Sequence, residues 1–114
     1  MELQTIQQGL ENIGKEIADG VYERFYEAKT DFENLEEQKK TILAIYEMKH
    51  SAEKITQAET SRMALSDKDY QVWIKRLNEA RRIMNVRMAK VKSTEARMEI
   101  YRSLNKHSYE ADKF

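Results

Sequence analysis

The sequence predicts an all-α protein: a long antiparallel helical hairpin, coiled-coil-like in its packing, with an amphipathic helix ahead of it. Three observations carry this. The 114 residues include no proline and only three glycines, so tight turns are few and a many-turned sheet is excluded. Apolar residues recur at steps of three and four over most of the chain, the period of one helical face. A hydrophobic share of 40% beside a charged share of 35% suits helices that bury one narrow stripe and solvate the rest. This length makes one helical domain, 1–114.

The first element is expected over residues 1–28. Leu3, Ile6, Leu10, Ile13, Ile17 and Val21 are spaced 3, 4, 3, 4 and 4, a coiled-coil-like seam. Gly9, Gly14 and Gly20 lie off the seam, and each costs about 1 kcal/mol of helix propensity relative to Ala. A helix so weakened needs a partner surface, either its own chain or a second copy; the seam is therefore the candidate oligomerisation surface.

Thr30-Asp31-Phe32-Glu33 fits a capping box, in which Thr and Glu satisfy each other's orphan backbone N–H groups. The hairpin's first arm is expected to begin there and to span about 31–64. Its stripe is Phe32, Leu35, Ile42, Ile45, Tyr46, Ala52, Ile55, Ala58, Met63 and Leu65, with polar gaps at Lys39, Lys49 and Gln57. Acid–base pairs such as Glu36–Lys40 and Lys49–Glu53 add about 0.3 kcal/mol each.

Ser66-Asp67-Lys68-Asp69 marks the clearest boundary: Ser66 as N-cap, with acids in the first turn opposing the helix dipole. No glycine precedes it, so the turn is short. The second arm then runs over 67–105. Tyr70, Trp73, Leu77, Ala80, Met84, Met88, Val91, Met98 and Tyr101 form its apolar stripe. Residues 106–114 are polar and expected to fray.

The formal net charge of zero hides an asymmetry. Residues 1–65 hold 13 acids and 8 bases, a net of −5, whereas 66–114 hold 7 acids and 12 bases, a net of +5. Lys75, Arg76, Arg82, Arg87, Lys90 and Arg97 gather on a flank of the second arm away from its apolar stripe, along about 33 Å of helix. Two readings stand. In one, the bases pair across the hairpin with Glu33, Glu36, Glu37, Glu47 and Glu53. In the other, they face outward and meet phosphates or an acidic protein without reading sequence.

Chemistry is otherwise sparse. Without cysteine there is no disulfide or thiolate zinc site, and an intracellular location is expected. Glu47-x-x-His50 has the spacing used by carboxylate-bridged di-iron bundles. Such a site needs a second motif, but position 104, three before His107, is Leu. No phosphate loop or nucleophile–histidine–carboxylate set is visible. A non-enzyme with no catalytic residues, metal, cofactor or small-molecule substrate is expected. Tyr70 and Trp73 lie on the apolar stripe and read as core rather than as base-stacking platforms. Tyr22, Phe25 and Tyr26 form an aromatic patch that either packs on the hairpin or stays exposed. No run is apolar and long enough to cross a membrane, and Met1 to Gly20 lacks the make-up of a signal peptide, so a soluble cytoplasmic chain is expected.

One resemblance bears on function. Phe25-Tyr26-Glu27-Ala28-Lys29, Leu35-Glu36-Glu37-Gln38-Lys39-Lys40 with Ile42-Leu43-Ala44, then Ala58-Glu59, Ala64, Tyr70, Leu77 and Ala80, and finally Glu99-Ile100-Tyr101-Arg102-Ser103-Leu104-Asn105, resemble small helical proteins of tailed phages and prophages. The likeness spans about 25–107 as a spaced pattern. Such proteins are often encoded beside single-strand annealing and single-strand-binding proteins and carry no assigned activity. The resemblance implies a non-catalytic accessory of phage DNA recombination or replication in a bacterial cytoplasm. Its partner would be DNA or a DNA-metabolism protein. The alternative is a helical protein–protein interaction module, a host-defence inhibitor or assembly scaffold, with no nucleic-acid role. A homo-oligomer is expected in either case. The tail Lys106-His107-Ser108-Tyr109 is less basic than in the phage group.

Overall fold

The structure, a computed structural model, describes residues 2–52 and 55–112, with side chains through His107. The fold is an all-α helical hairpin: α1 (Leu3–Ala18), α2 (Val21–His50), α3 (Gln57–Ser66) and α4 (Lys68–Asp112). No helix among the described residues is long and apolar enough to cross a membrane. The chain divides into two compact units, Met1–Glu27 with Asn85–Phe114, and Ala28–Met84. Both α2 and α4 contribute to each.

In the first unit, α1 runs antiparallel to the C-terminal half of α4: Gly9 meets Tyr101, and Glu16 meets Thr94 and Arg97. Ile6, Ile13, Val21 and Val91 are buried here, and Leu10 and Ile17 are half-buried. Each fully buried aliphatic side chain contributes roughly 1.5–3 kcal/mol. The seam that was the candidate oligomerisation surface (Leu3, Ile6, Leu10, Ile13, Ile17, Val21) is thus filled by its own chain. A second copy could reach it only by displacing α1 from α4. Leu3, at its open end, is partly exposed.

The first helix was expected to reach Ala28 but ends at Ala18. Asp19 N–H donates to Lys15 O at 2.8 Å and Gly20 N–H to Ile17 O at 3.0 Å. Gly20 then takes φ +95°, a left-handed conformation that only glycine adopts without strain. The following helix starts at once with Val21. The expected break at Thr30 does not occur: α2 passes straight through 30–33. Val21, Phe25, Ala28, Phe32 and Leu35 keep one apolar seam across that point, so continuing the helix buries more than capping would.

In the second unit, α2 and the N-terminal part of α4 are antiparallel neighbours. The Tyr46 and Tyr70 rings meet edge-on at 5.6 Å, and Arg81 lies over the Phe32 ring at 5.2 Å. Phe32, Thr60, Ala64, Tyr70 and Leu77 form the buried centre. The arm expected over 31–64 is really two elements. α2 stops at His50, and after 51–56 α3 starts behind Thr56, whose hydroxyl accepts from Glu59 N–H at 3.1 Å. Ala52 and Ala58, assigned to the stripe from sequence, are exposed. The expected Lys49–Glu53 pair lies outside the described residues.

One residue, Asp67, separates α3 from α4. The turn is short, as its lack of glycine requires, but the cap is Asp67 rather than Ser66, which closes α3. Asp67 Oδ1 accepts from Asp69 N–H at 2.8 Å. Asp67 Oδ2 accepts from Lys49 Nζ at 2.8 Å and His50 Nε2 at 2.6 Å. A single carboxylate, 7% exposed, therefore starts α4 and ties it to the end of α2. Finally, α4 runs to Asp112 rather than ending near Asn105; Lys113 and Phe114 of the expected frayed tail lie outside the described residues.

Candidate functional site

The cationic side of α4 follows from helical geometry. Buried or half-buried Tyr70, Trp73, Leu77, Ala80, Met84, Val91, Thr94, Met98 and Tyr101 recur at steps of three and four, a heptad pattern over more than four repeats. Arg76, Lys90 and Arg97 share the heptad position flanking that seam, and Lys75 and Arg82 share the one facing away from it. Arg87 falls on the seam itself and is half-buried.

In the second unit, Lys75, Arg76 and Arg82 are exposed. Arg82 holds Glu79 of its own helix by two hydrogen bonds, Nε at 3.0 Å and Nη2 at 2.7 Å. These bonds keep the Glu79 carboxyl below, and the Arg82 guanidinium above, their ordinary ranges. In the first unit, Lys90 is exposed and Arg97 is half-buried against α1. Arg97 grips Glu16 in two-pronged fashion at 3.1 and 2.5 Å, and Thr94, fully buried, donates to Lys90 O at 2.9 Å. The Arg97 hydrogen bonds hold the Glu16 carboxyl below its ordinary range despite partial desolvation.

Among the described residues none of the six bases pairs across the hairpin with the acids expected; Arg97 is held by Glu16 of α1 instead, and Arg82 by Glu79 of its own helix. No ion pair forms at Lys75, Arg76, Arg87 or Lys90 among the described residues. Of the acids expected to neutralise them, Glu33 reaches Lys29 and Glu47 accepts from Ser61 Oγ at 3.4 Å, while Glu36 and Glu37 are exposed. Glu53 lies outside the described residues.

Sequence reasoning missed Glu16 and Thr94. Glu16 had a readable signal: it flanks the Ile13–Ile17 seam, where interhelical ion pairs sit. Thr94 had none, being a polar residue in an apolar register. The Glu47-x-x-His50 pair does not converge. Glu47 turns to Ser61 and His50 to Asp67. Asp67 is held far below the usual carboxylate range, first by Lys49, then by His50 and the Asp69 N–H. An ionised carboxylate only accepts, so His50 Nε2 carries the proton. Tyr70 is core, with Trp73 stacked on it at 6.2 Å. In the aromatic patch, Tyr22 donates to Glu95 at 3.3 Å, while Tyr26 is exposed.

A groove of about 540 Å³ lies between α2 and α4 in the second unit. Half-buried Leu35, Ala80 and Ile83 line it together with exposed Asp31, Asn34, Gln38, Arg76 and Glu79. Compared with known proteins, the chain matches no family model, and no curated protein or solved structure is significantly similar to it.

Proposed function

We propose that this protein is a non-catalytic helical binding protein whose exposed bases on α4 meet nucleic acid or an acidic partner, as a phage-type accessory of DNA recombination or replication. One observation carries the reading. Lys75, Arg76, Arg87 and Lys90 have no carboxylate partner among the described residues of a chain that holds equal numbers of acids and bases. Uncompensated cations on a helix suit a phosphate backbone, which rewards position and charge rather than base identity. Arg97, already satisfied by Glu16, adds least.

Filter binding to single- and double-stranded DNA tests this. Affinity should fall with salt at a log–log slope of about −2 to −3 for the three phosphate contacts that exposed Lys75, Arg76 and Lys90 can make. The Lys75→Glu/Arg76→Glu double variant should bind at least tenfold more weakly. Absence of binding at low salt, or indifference to that variant, removes the nucleic-acid version.

Exposed Ile45, Met48 and Val72 favour a second reading, a protein–protein interaction module without nucleic acid. It calls for a captured partner that survives nuclease and high salt.

A further inference from the structure

Three of the most exposed apolar side chains of the second unit share one side of it: Ile45 (53% exposed), Met48 (76%) and Val72 (65%). Helical register fixes this. Ile45 lies two heptads after Asp31 and Met48 two heptads after Asn34, both of which line the groove; Val72 lies one heptad before Glu79, on the groove's other wall. The antiparallel register set by Tyr46 with Tyr70 and Phe32 with Arg81 brings Ile45 level with Val72. The groove with its Leu35, Ala80 and Ile83 lining and the Ile45–Met48–Val72 cluster therefore lie along one strip of the unit, their apolar groups interleaved with exposed Asn34, Gln38, Thr41, Arg76 and Glu79. α3 lies on the other side of α2, where Ser61 meets Glu47, and leaves this strip uncovered.

The chain shows what such a surface of α4 accepts. Thr94 and Tyr101 repeat the heptad position of Ala80, and Arg97 that of Arg76 and Ile83, and in the first unit α1 meets all three. In the second unit Ala80 and Ile83 at the corresponding positions are half-buried and Arg76 is exposed, with the groove beside them.

We propose that this strip is a self-association surface, on which a second copy of the chain docks strip to strip about a two-fold axis parallel to α2 and α4. Charge selects this arrangement. Within the second unit, the α2 arm (28–50) carries five acids and four bases, and the α4 arm (68–84) carries two acids and five bases. An axis along the helices lays each acidic arm over the partner's basic arm and Ile45 over Val72 of the other copy. The perpendicular axis stacks like on like, the two +3 arms together. The four arms then close a small helical bundle around the strip. The Leu3–Val21 seam plays no part in it. The strip contains Arg76, which polyanion binding would also use, so the test substitutes Ile45 and Val72, changes that leave the bases of α4 in place, and a failure of one reading is told from a failure of the other.

The test uses nuclease-treated full-length protein in sedimentation equilibrium. The expected result is a dimer whose dissociation constant rises at least about tenfold in Ile45→Asp and in Val72→Asp. Both positions are exposed, so helix content by circular dichroism stays unchanged. A monomer at high micromolar concentration, or variants that dimerise like the parent, overturns the proposal. The chain has no cysteine, so orientation is read by mixing Ile45→Cys chains with Val72→Cys chains under mild oxidation. A mixed disulfide in excess of both self-disulfides is expected; predominant self-disulfides overturn the crossed arrangement.

Discussion

Gly9 and Gly14 sit five residues apart on α1 and do different work. The Tyr101 ring packs directly on Gly9, so closely that an added Cβ would fall 2.6 Å from its atoms. Gly14 has nothing within 4 Å of that position. Gly20 holds the left-handed turn between α1 and α2. Gly14→Ala should therefore raise Tm by a few degrees, because Ala gains up to about 1 kcal/mol of helix propensity in open space. Gly9→Ala should lower Tm by displacing Tyr101, and Gly20→Ala should lower it through backbone strain. Thermal unfolding of the three variants checks the order Gly14→Ala above parent above the other two. The propensity cost alone, equal at Gly9 and Gly14, would raise Tm alike in both helical variants.

The same capping motif occurs twice, and element-scale context separates the two. Thr30-Asp31-Phe32-Glu33 lies inside α2, while Thr56-Gln57-Ala58-Glu59 starts α3 with the Thr56 hydroxyl bonded to Glu59 N–H. The local chemistry is alike; the apolar register is not. Ala28, Phe32 and Leu35 carry the buried seam past Thr30, whereas Ala52 and Ala58 around Thr56 are exposed and hold no seam in place. Thr56→Ala should cost about 0.5–2 kcal/mol by losing a cap. Thr30→Ala should be neutral or slightly stabilising, as an exposed mid-helix change to a better helix former. Denaturant unfolding of both variants measures the contrast. Equal destabilisation would mean that Thr30 caps a real helix start.

At the scale of the molecule, three carboxylates among the described residues are held below their ordinary range: Asp67 by Lys49 and His50, Glu16 by Arg97 and Glu79 by Arg82. A lowered folded-state pKa means that the unfolded chain binds protons first as pH falls. The stability these groups contribute is complete above the unfolded carboxylate range, near pH 4, and is lost as pH drops below it toward their folded values. Tm should thus hold steady between pH 6 and 8 on account of these groups and fall steeply below about pH 4. Asp67→Asn keeps a capping oxygen but removes the charge that Lys49 and His50 grip. It should lower Tm at neutral pH and flatten the acid limb. Scans of both proteins from pH 3 to 8 check this, and parallel curves would show that Asp67 carries no linkage.

Sequence periodicity by itself determined the helical class, the α4 stripe from Tyr70 to Tyr101 and the hinge beside position 66, because a long amphipathic pattern has few other ways to hide its apolar side. The exposure of Lys75, Arg76, Arg82 and Lys90 was equally legible, but not the place of Arg87 on the seam or of Arg97 against α1. Tertiary contact decided everything that depended on which surfaces meet. It ended α2 at His50, where Asp67 was waiting, and passed over Thr30, where burial outweighed a cap. It gave the Leu3–Val21 seam to α4, joined Arg97 to Glu16 and left Lys75, Arg76, Arg87 and Lys90 without carboxylate partners among the described residues. The reason is one of range: propensity and period act within a few residues, while a hydrogen bond or a filled seam 80 residues away in sequence costs or contributes just as much.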